Sequence, residues 1–345
     1  MVIISAMRRR LLLSSIISVL VSSVLIAGCK RDATSTSAKL PHIAFITNGV
    51  ASFWTIAKSG AEAASRELNV KVSVHMPAEG IADQKRIVED LIVRGVDGIA
   101  ISIIDAANQT GFVNETSRHT KLITQDSDAP ASNRLAYVGM DNYKAGRLLG
   151  AMIKKDLPQG GSLAIFIGRV EQDNARKRRQ GVIDEVLGRD FDPNRYDPPG
   201  VELTGNGYTF VVTLTDQFDR VKAKANCEDA LLRYPDLTGM VGLFAYNAPL
   251  CLEALKQTGK RGKVKLFSFD EADETLQGIQ DGWISGTVVQ NPFEYGYQSV
   301  RLLREILADG TAAIPGSKFI DIPARSIDHT NVSQFWEDLK KKVST

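Results

Sequence analysis

The side chains of this sequence that could do chemistry are carboxylates, amides and aromatic rings rather than nucleophiles or metal ligands. Four His and three Cys are scattered through 345 residues, which is little material for a metal site. No His pairs with a Ser or Cys in a nucleophile motif, and no His-Glu-x-x-His occurs. Asp and Glu are plentiful, yet no two stand out as an acid/base couple. What does recur is a hydrogen-bonding group directly after a short β-branched run: Thr47 and Asn48, Ser102, Asp126, Asn247, Asp270 and Gln290. Phe53, Trp54 and Phe218 stand close by in the chain. Carboxylates and amides beside aromatic faces suit a small polyol-like molecule, whose hydroxyls need donors and acceptors while its C–H faces stack on rings. Such chemistry is reversible binding and calls for no cofactor and no metal.

These residues need elements to position them. From Pro41 onward, apolar runs such as His42–Thr47, Val70–Val74, Gly98–Ile103 and Lys121–Thr124 alternate with amphipathic stretches at Phe53–Leu68, Ala82–Val93 and Asn108–Arg118. Asn142–Lys155 begins a second series, with strands at Ser162–Ile167, Thr209–Leu214, Met240–Phe244, Lys265–Ser268 and Ser285–Val289. Helices near Asn174–Leu187, Asp219–Arg233, Pro249–Gln257 and Asp273–Gln280 separate them, and Asn291–Leu307, a strand at Phe319–Ile327 and Val332–Lys342 close the chain. The alternation predicts an α/β fold with parallel sheets buried on both faces. About eleven strands are too many for one comfortable open sheet, and 345 residues fit two domains, so two doubly wound lobes are expected. Ligands of such sheets bind beyond the carboxyl ends of the strands, where the polar set stands. Asn206 between Gly205 and Gly207 lacks the third glycine of a phosphate loop and reads as a turn before the strand at Thr209.

The first residues read as an address. Arg8, Arg9 and Arg10 precede an apolar run from Leu11 to Ile26 that ends in Leu25-Ile26-Ala27-Gly28-Cys29. A basic head, a short apolar stretch and small residues before a cut site make a secretory signal peptide over 1–29; a membrane span would be longer and less rich in Ser. Met7, directly before the arginines, is the more natural start. The final five residues resemble the bacterial lipobox, which implies cleavage before Cys29 and lipid on its sulfur. Residues 30–39 read as a flexible tether. Residues 1–29 hold three arginines and no acid, so of 42 basic and 40 acidic residues the mature chain keeps 39 and 40. A near-neutral body gives no electrostatic reason to expect nucleic acid.

The order of motifs resembles the periplasmic sugar-binding proteins of the ribose-binding type, the type I family of transport-associated binding proteins, over about residues 40–342. Ser52-Phe53-Trp54 looks like the family's Asn-Pro-Phe-Phe segment, and Asp126 stands where the family has Asp. Asp141-Asn142-Tyr143-Lys144-Ala145-Gly146 resembles the segment opening the second domain, and Ala175–Gly181 the Ala-Arg-x-Arg-x-x-Gly segment whose second Arg, here Arg178, enters the cleft. Phe218-Asp219-Arg220, Asn247, Asp270 and Gln290 complete the set. The resemblance implies a ligand site of Phe53, Trp54, Ser102, Asp126, Arg178, Phe218, Asn247, Asp270 and Gln290. It implies lobes of 40–140 plus 291–323 and 141–290 plus 324–345, joined by a hinge of three crossovers near Met140–Asp141, Gln290–Asn291 and Pro323–Arg325. Ala51, Ser102 and Ser127 replace residues that the family often has as Asn, Asn and Arg, so the sugar-like class carries over and ribose itself does not.

Several of these residues have plainer readings. Phe53 and Trp54 could be core, the two Asp could cap helices, and Arg176, Lys177 and Arg179 read as solvated or surface-paired, with Arg178 alone turned to the ligand. Cys227 and Cys251 fall on consecutive helices, where either a disulfide or two small buried thiols fits. The expected protein is a monomeric receptor, lipid-anchored outside a bacterial cytoplasm, that binds a sugar or polyol and meets an ABC permease in the membrane. A chemoreceptor or sensor kinase would read the same closed form equally well. An enzyme on this scaffold would have to turn the ligand over.

Overall fold

The computed structural model describes residues 39–343; the apolar run, Cys29 and nearly all of the tether lie outside them. In chain order the first half runs β1 (His42–Ile46), α1 (Ser52–Leu68), β2 (Lys71–His75), α2 (Ile81–Val93), β3 (Gly98–Ile101), α3 (Ala106–His119), β4 (Lys121–Gln125) and β5 (Tyr137–Gly139). Next come α4 (Asn142–Asp156), β6 (Gly161–Ile167), α5 (Asp173–Val186), β7 (Leu203–Gly205), β8 (Tyr208–Thr215), α6 (Arg220–Arg233), β9 (Gly239–Gly242), α7 (Asn247–Gln257), β10 (Lys265–Phe269), α8 (Asp273–Gln280) and β11 (Gly286–Val289). The chain ends with α9 (Pro292–Asp309), β12 (Phe319–Asp321), β13 (Arg325–Ile327) and α10 (Val332–Val343).

Two α/β lobes result, each around its own sheet. The first sheet has six strands in the order β12-β5-β4-β3-β1-β2, all parallel. The second has seven in the order β13-β11-β10-β9-β6-β8-β7, parallel except for β13 and β7 at its edges. Both wind the same way, reversing strand order between β1 and β3 in lobe 1 and between β6 and β9 in lobe 2. The chain passes between the sheets after β5, after β11 and again between β12 and β13. The single strand expected over Phe319–Ile327 is therefore two short ones, one per sheet, parted by the last crossing.

Burial on both faces explains the continuous apolar runs. Along β1, Ile43 and Phe45 enter the core shared with α1 and α9, while Ala44 and Ile46 face the core beneath α2 and α3. Along β6, Leu163, Ile165 and Ile167 point one way and Ala164 and Phe166 the other. Each lobe also has one very close helix pair. A Cβ on Gly60 of α1 would stand 1.9 Å from the Phe293 carbonyl oxygen. In lobe 2 a Cβ on Gly181 of α5 would stand 2.1 Å from the Tyr143 carbonyl oxygen, and one on Gly146 of α4 2.1 Å from that of Arg178. The glycines of the two lobe-2 motifs thus press α4 onto α5 and seat Arg178 at the sheet's ligand end. Among the described residues no helix is long and apolar enough to cross a membrane.

Candidate functional site

The polar residues stand at the carboxyl ends of the parallel strands, the place an open α/β sheet offers a ligand, and Asp126 of lobe 1 feels Arg178 and Asp270 of lobe 2. In lobe 1, Asp126 follows β4 with φ 58°, a left-handed turn that points its carboxylate back over the strand ends. Ser102 Oγ donates to Asp126 Oδ2 at 2.9 Å, and Asn48 Nδ2 donates to Ser102 Oγ at 3.0 Å. The Tyr137 hydroxyl donates to the Asp126 carbonyl at 2.8 Å and fixes the turn.

Lobe 2 repeats the device after β10, where Asp270 has φ 67°. Its carboxylate accepts from Gln290 Nε2 at 2.7 Å and lies 3.7 Å from Arg178 Nη1. Gln290 Oε1 in turn accepts from the buried Tyr295 hydroxyl at 3.0 Å. Arg178 itself is 1% exposed. It donates to the Leu243 carbonyl at 2.8 Å and to Asn142 Oδ1 at 3.2 Å, with its guanidinium 4.3 Å from the Phe269 ring centroid. The lobes meet across Asp126, which accepts a hydrogen bond from Asn174 at the head of α5 and feels the charges of Arg178 and Asp270.

Burial raises both carboxyls. Burial pushes Asp126 up to about 7; Ser102, Arg178 and Asn174 oppose the rise, while Asp270 adds to it. Burial also raises Asp270, against the pull of Arg178 and Gln290. Glu271 next to it is raised well above the ordinary range by burial and by Asp270, and both its carboxylate oxygens lack a hydrogen-bond partner among the described residues.

The remaining candidates fall on the lobe-2 side and at the head of α1. Asn247 Nδ2 donates to Asp216 Oδ2 at 3.0 Å and its Oδ1 accepts from the Phe244 amide at 3.0 Å. Phe218, 39% exposed, meets Phe244 edge-on at 5.3 Å, and the Arg169 guanidinium lies over its ring at 5.3 Å. Of the rings that open α1, Trp54 belongs to the lobe-1 core against Phe45, whereas Phe53 is half-buried and reaches Tyr295. Arg176 and Lys177 pair with Asp173 at 3.0 and 2.8 Å. Arg179 corrects the surface reading of its run: it is 1% exposed and donates to Thr213 Oγ1 at 2.9 Å and to the Asp197 carbonyl at 2.6 Å. Burial lowers its pKa to about 10.

Sequence reasoning passed over Asp216, which accepts from Asn247, from the Phe218 amide at 2.9 Å and from the Tyr246 hydroxyl. It too stands directly after a β-branched run, so the signal was present once β8 is allowed to reach Thr215. Asn174 and Tyr295 carried no such signal, since both lie on helices whose faces were unassigned.

The fold thus has two lobes whose polar strand ends, flanked by aromatic rings, form a candidate binding region. Residues 43–312 match the family model of the periplasmic binding protein domain, and the chain belongs to that family, as a type I sugar-binding member of the ribose-binding type. It is 26% identical over 260 residues to the ribose import binding protein of Bacillus subtilis (strain 168), covering 74% of this chain and 77% of that one. Among solved structures, GanP, a glucose-galactose binding protein from Geobacillus stearothermophilus, superposes with a TM-score of 0.76 at 26% identity over 85% of this chain and 99% of its own. A solute binding protein from Burkholderia graminis in complex with D-arabinose gives a TM-score of 0.76 at 26% identity, over 86% and 98%. The family places the chain outside the cytoplasm, among binding proteins rather than enzymes.

Proposed function

We propose that the chain is a lipid-anchored receptor that closes its two lobes on a sugar or related polyol and delivers it to an ABC importer. The observation that carries this reading is the facing pair of buried, left-handed strand-end carboxyls, Asp126 and Asp270, with Arg178, Ser102, Asn247 and Gln290 around them. Carboxylates that accept two hydroxyls each and an arginine that donates to ring or hydroxyl oxygens are what a sugar needs on its polar edges. Phe53 and Phe218 offer rings for its C–H faces. Arg169 Nε, Gln172 Oε1 and Ser127 Oγ, buried without hydrogen-bond partners among the described residues, add further polar atoms beside the same strand ends.

The crossings near 140–141, 290–291 and 323–325 serve as the hinge between lobes 40–140 plus 291–323 and 141–290 plus 324–345, and ligand stabilises the closed form. Lipid on Cys29, at the end of the tether, holds the receptor beside its permease. Calorimetry against a panel of pentoses, hexoses and polyols should find saturable binding by at least one. Silence across the panel from folded protein would refute the reading. Asp126→Ala should weaken that ligand more than tenfold, and mass spectrometry should find the acyl groups on Cys29 in the envelope-purified chain and none on Cys29→Ser.

A further inference from the structure

Lobe 2 contains a second feature besides the proposed ligand site, and its link to Phe218 and Asn247 rests on that proposal. Cys227 on α6 and Cys251 on α7 are 1% and 0% exposed, and their Sγ atoms stand 2.7 Å apart as free thiols. That is closer than two unbonded sulfurs pack, and a bond of about 2.05 Å needs only a small further approach. The helices are held in this register from outside as well: Lys224 Nζ reaches Glu253 Oε1 at 2.7 Å, and Lys260 Nζ donates to the Leu231 carbonyl at 2.8 Å. Both helices begin at the ligand region. Asp219 caps α6 directly after Phe218, and α7 starts at Asn247. Asp216 joins the two starts by accepting from the Phe218 amide and from Asn247.

We propose that Cys227 and Cys251 form a disulfide in the extracytoplasmic compartment, and that it clamps α6 to α7 so that Phe218 and Asn247 keep a fixed spacing. The oxidant is an external disulfide of the thiol-oxidoreductase or small-thiol class. One cysteine thiolate attacks it, forming a mixed disulfide and releasing one thiolate; the second cysteine thiolate then attacks the mixed disulfide at the protein sulfur and releases the other. The two protons lost from the cysteines go to the two released thiolates, and the two electrons reduce the external disulfide to two thiols. Burial pushes the Cys251 thiol well above its ordinary value, so the exchange takes place while lobe 2 is still folding or locally open.

The full chain, exported and purified without reductant, is denatured, alkylated with iodoacetamide and mapped by peptide mass. Cys227 and Cys251 should be unalkylated and found in one linked peptide pair that separates on reduction, a result independent of Cys29. Reductant should lower the Tm of the native protein by about 5 °C and leave Cys227→Ser and Cys251→Ser chains unmoved. Hydrogen exchange over Asp216–Lys222 and Phe244–Leu252 should rise several-fold in the reduced protein. Full alkylation of both cysteines, persisting after incubation with oxidised glutathione, overturns the bond. A linked pair whose reduction leaves exchange in those segments unchanged overturns the clamp.

Discussion

Asp126 and Asp270 occupy the same place in two lobes of the same winding, and they are stabilised by different means. Both end a central parallel strand, both adopt a left-handed φ that few residues other than Gly, Asn and Asp tolerate, and both are buried. Asp270 has a cation of its own lobe at 3.7 Å and an amide at 2.7 Å. Asp126 has a hydroxyl from its own lobe at 2.9 Å and an amide at 3.4 Å, with its cationic help coming across from lobe 2. A carboxylate with no local cation loses more from burial than it recovers in hydrogen bonds. Lobe 1 alone thus leaves its carboxyl poorly compensated, and Arg178 and Asn174 of lobe 2 offset part of the cost. The asymmetry makes Asp126 the carboxyl that depends on residues of both lobes.

The largest test removes the cation. Arg178→Met should destabilise the protein by about 3–5 kcal/mol, because it leaves Asp270 buried without its partner; urea unfolding measures it. A loss under 1 kcal/mol would mean that the arginine does not hold the lobe-2 carboxyl. Next comes the pH dependence of Asp126. Its folded value, about 7, lies above the ordinary 3.8, so its contribution favours the folded protein below about pH 4 and is lost as pH rises through about 7. Unliganded protein should therefore lose on the order of a few kcal/mol between pH 4 and 7 from this group, on top of a contribution of the same sign from Asp270. Asp126→Asn should flatten most of that slope, and an unchanged slope would assign it elsewhere.

Much of the fold was legible because a parallel sheet buried on both faces writes itself as near-continuous apolar runs. His42–Ile46 and Lys265–Phe269 could be read that way. Short strands are not so marked: Tyr137–Gly139 and Leu203–Gly205 have three residues each, too few to show a period. The candidate site could be read where a polar residue interrupts a strand's end, as at Asp126, Asp270 and Gln290. It was not legible on helices. Arg176 to Arg179 look alike in sequence, yet successive residues turn by about 100°, so two meet solvent, one enters the site and one reaches Thr213 in the interior. Trp54 illustrates the same limit, since one step along α1 separates the core from the rim held by Phe53.

The neighbouring arginines give the third test. Arg179→Met should cost about 1–3 kcal/mol by leaving Thr213 Oγ1 and the Asp197 carbonyl unpaired, and it should leave sugar affinity unchanged. A loss of sugar affinity in Arg179→Met would erase the distinction between the two residues.

The smallest expected effect is the lobe-1 counterpart of the Arg178 substitution. Ser102→Ala removes the hydroxyl that donates to Asp126 at 2.9 Å and strands the Asn48 amide that donates to that hydroxyl at 3.0 Å. Asn48 Nδ2 also lies 3.4 Å from Asp126 Oδ2, so it can turn to the carboxylate directly, and the loss should be about 1 kcal/mol at pH 7. As pH falls below about 7 the loss should shrink, because Ser102 donates to the carboxylate and a protonated Asp126 needs an acceptor as much as a donor. If Ser102→Ala instead cost as much as Arg178→Met, a neutral hydroxyl would be carrying as much of the lobe-1 carboxyl as a cation carries of its lobe-2 twin. The lobes would then be balanced, and Asp126 would no longer depend on the groups of lobe 2.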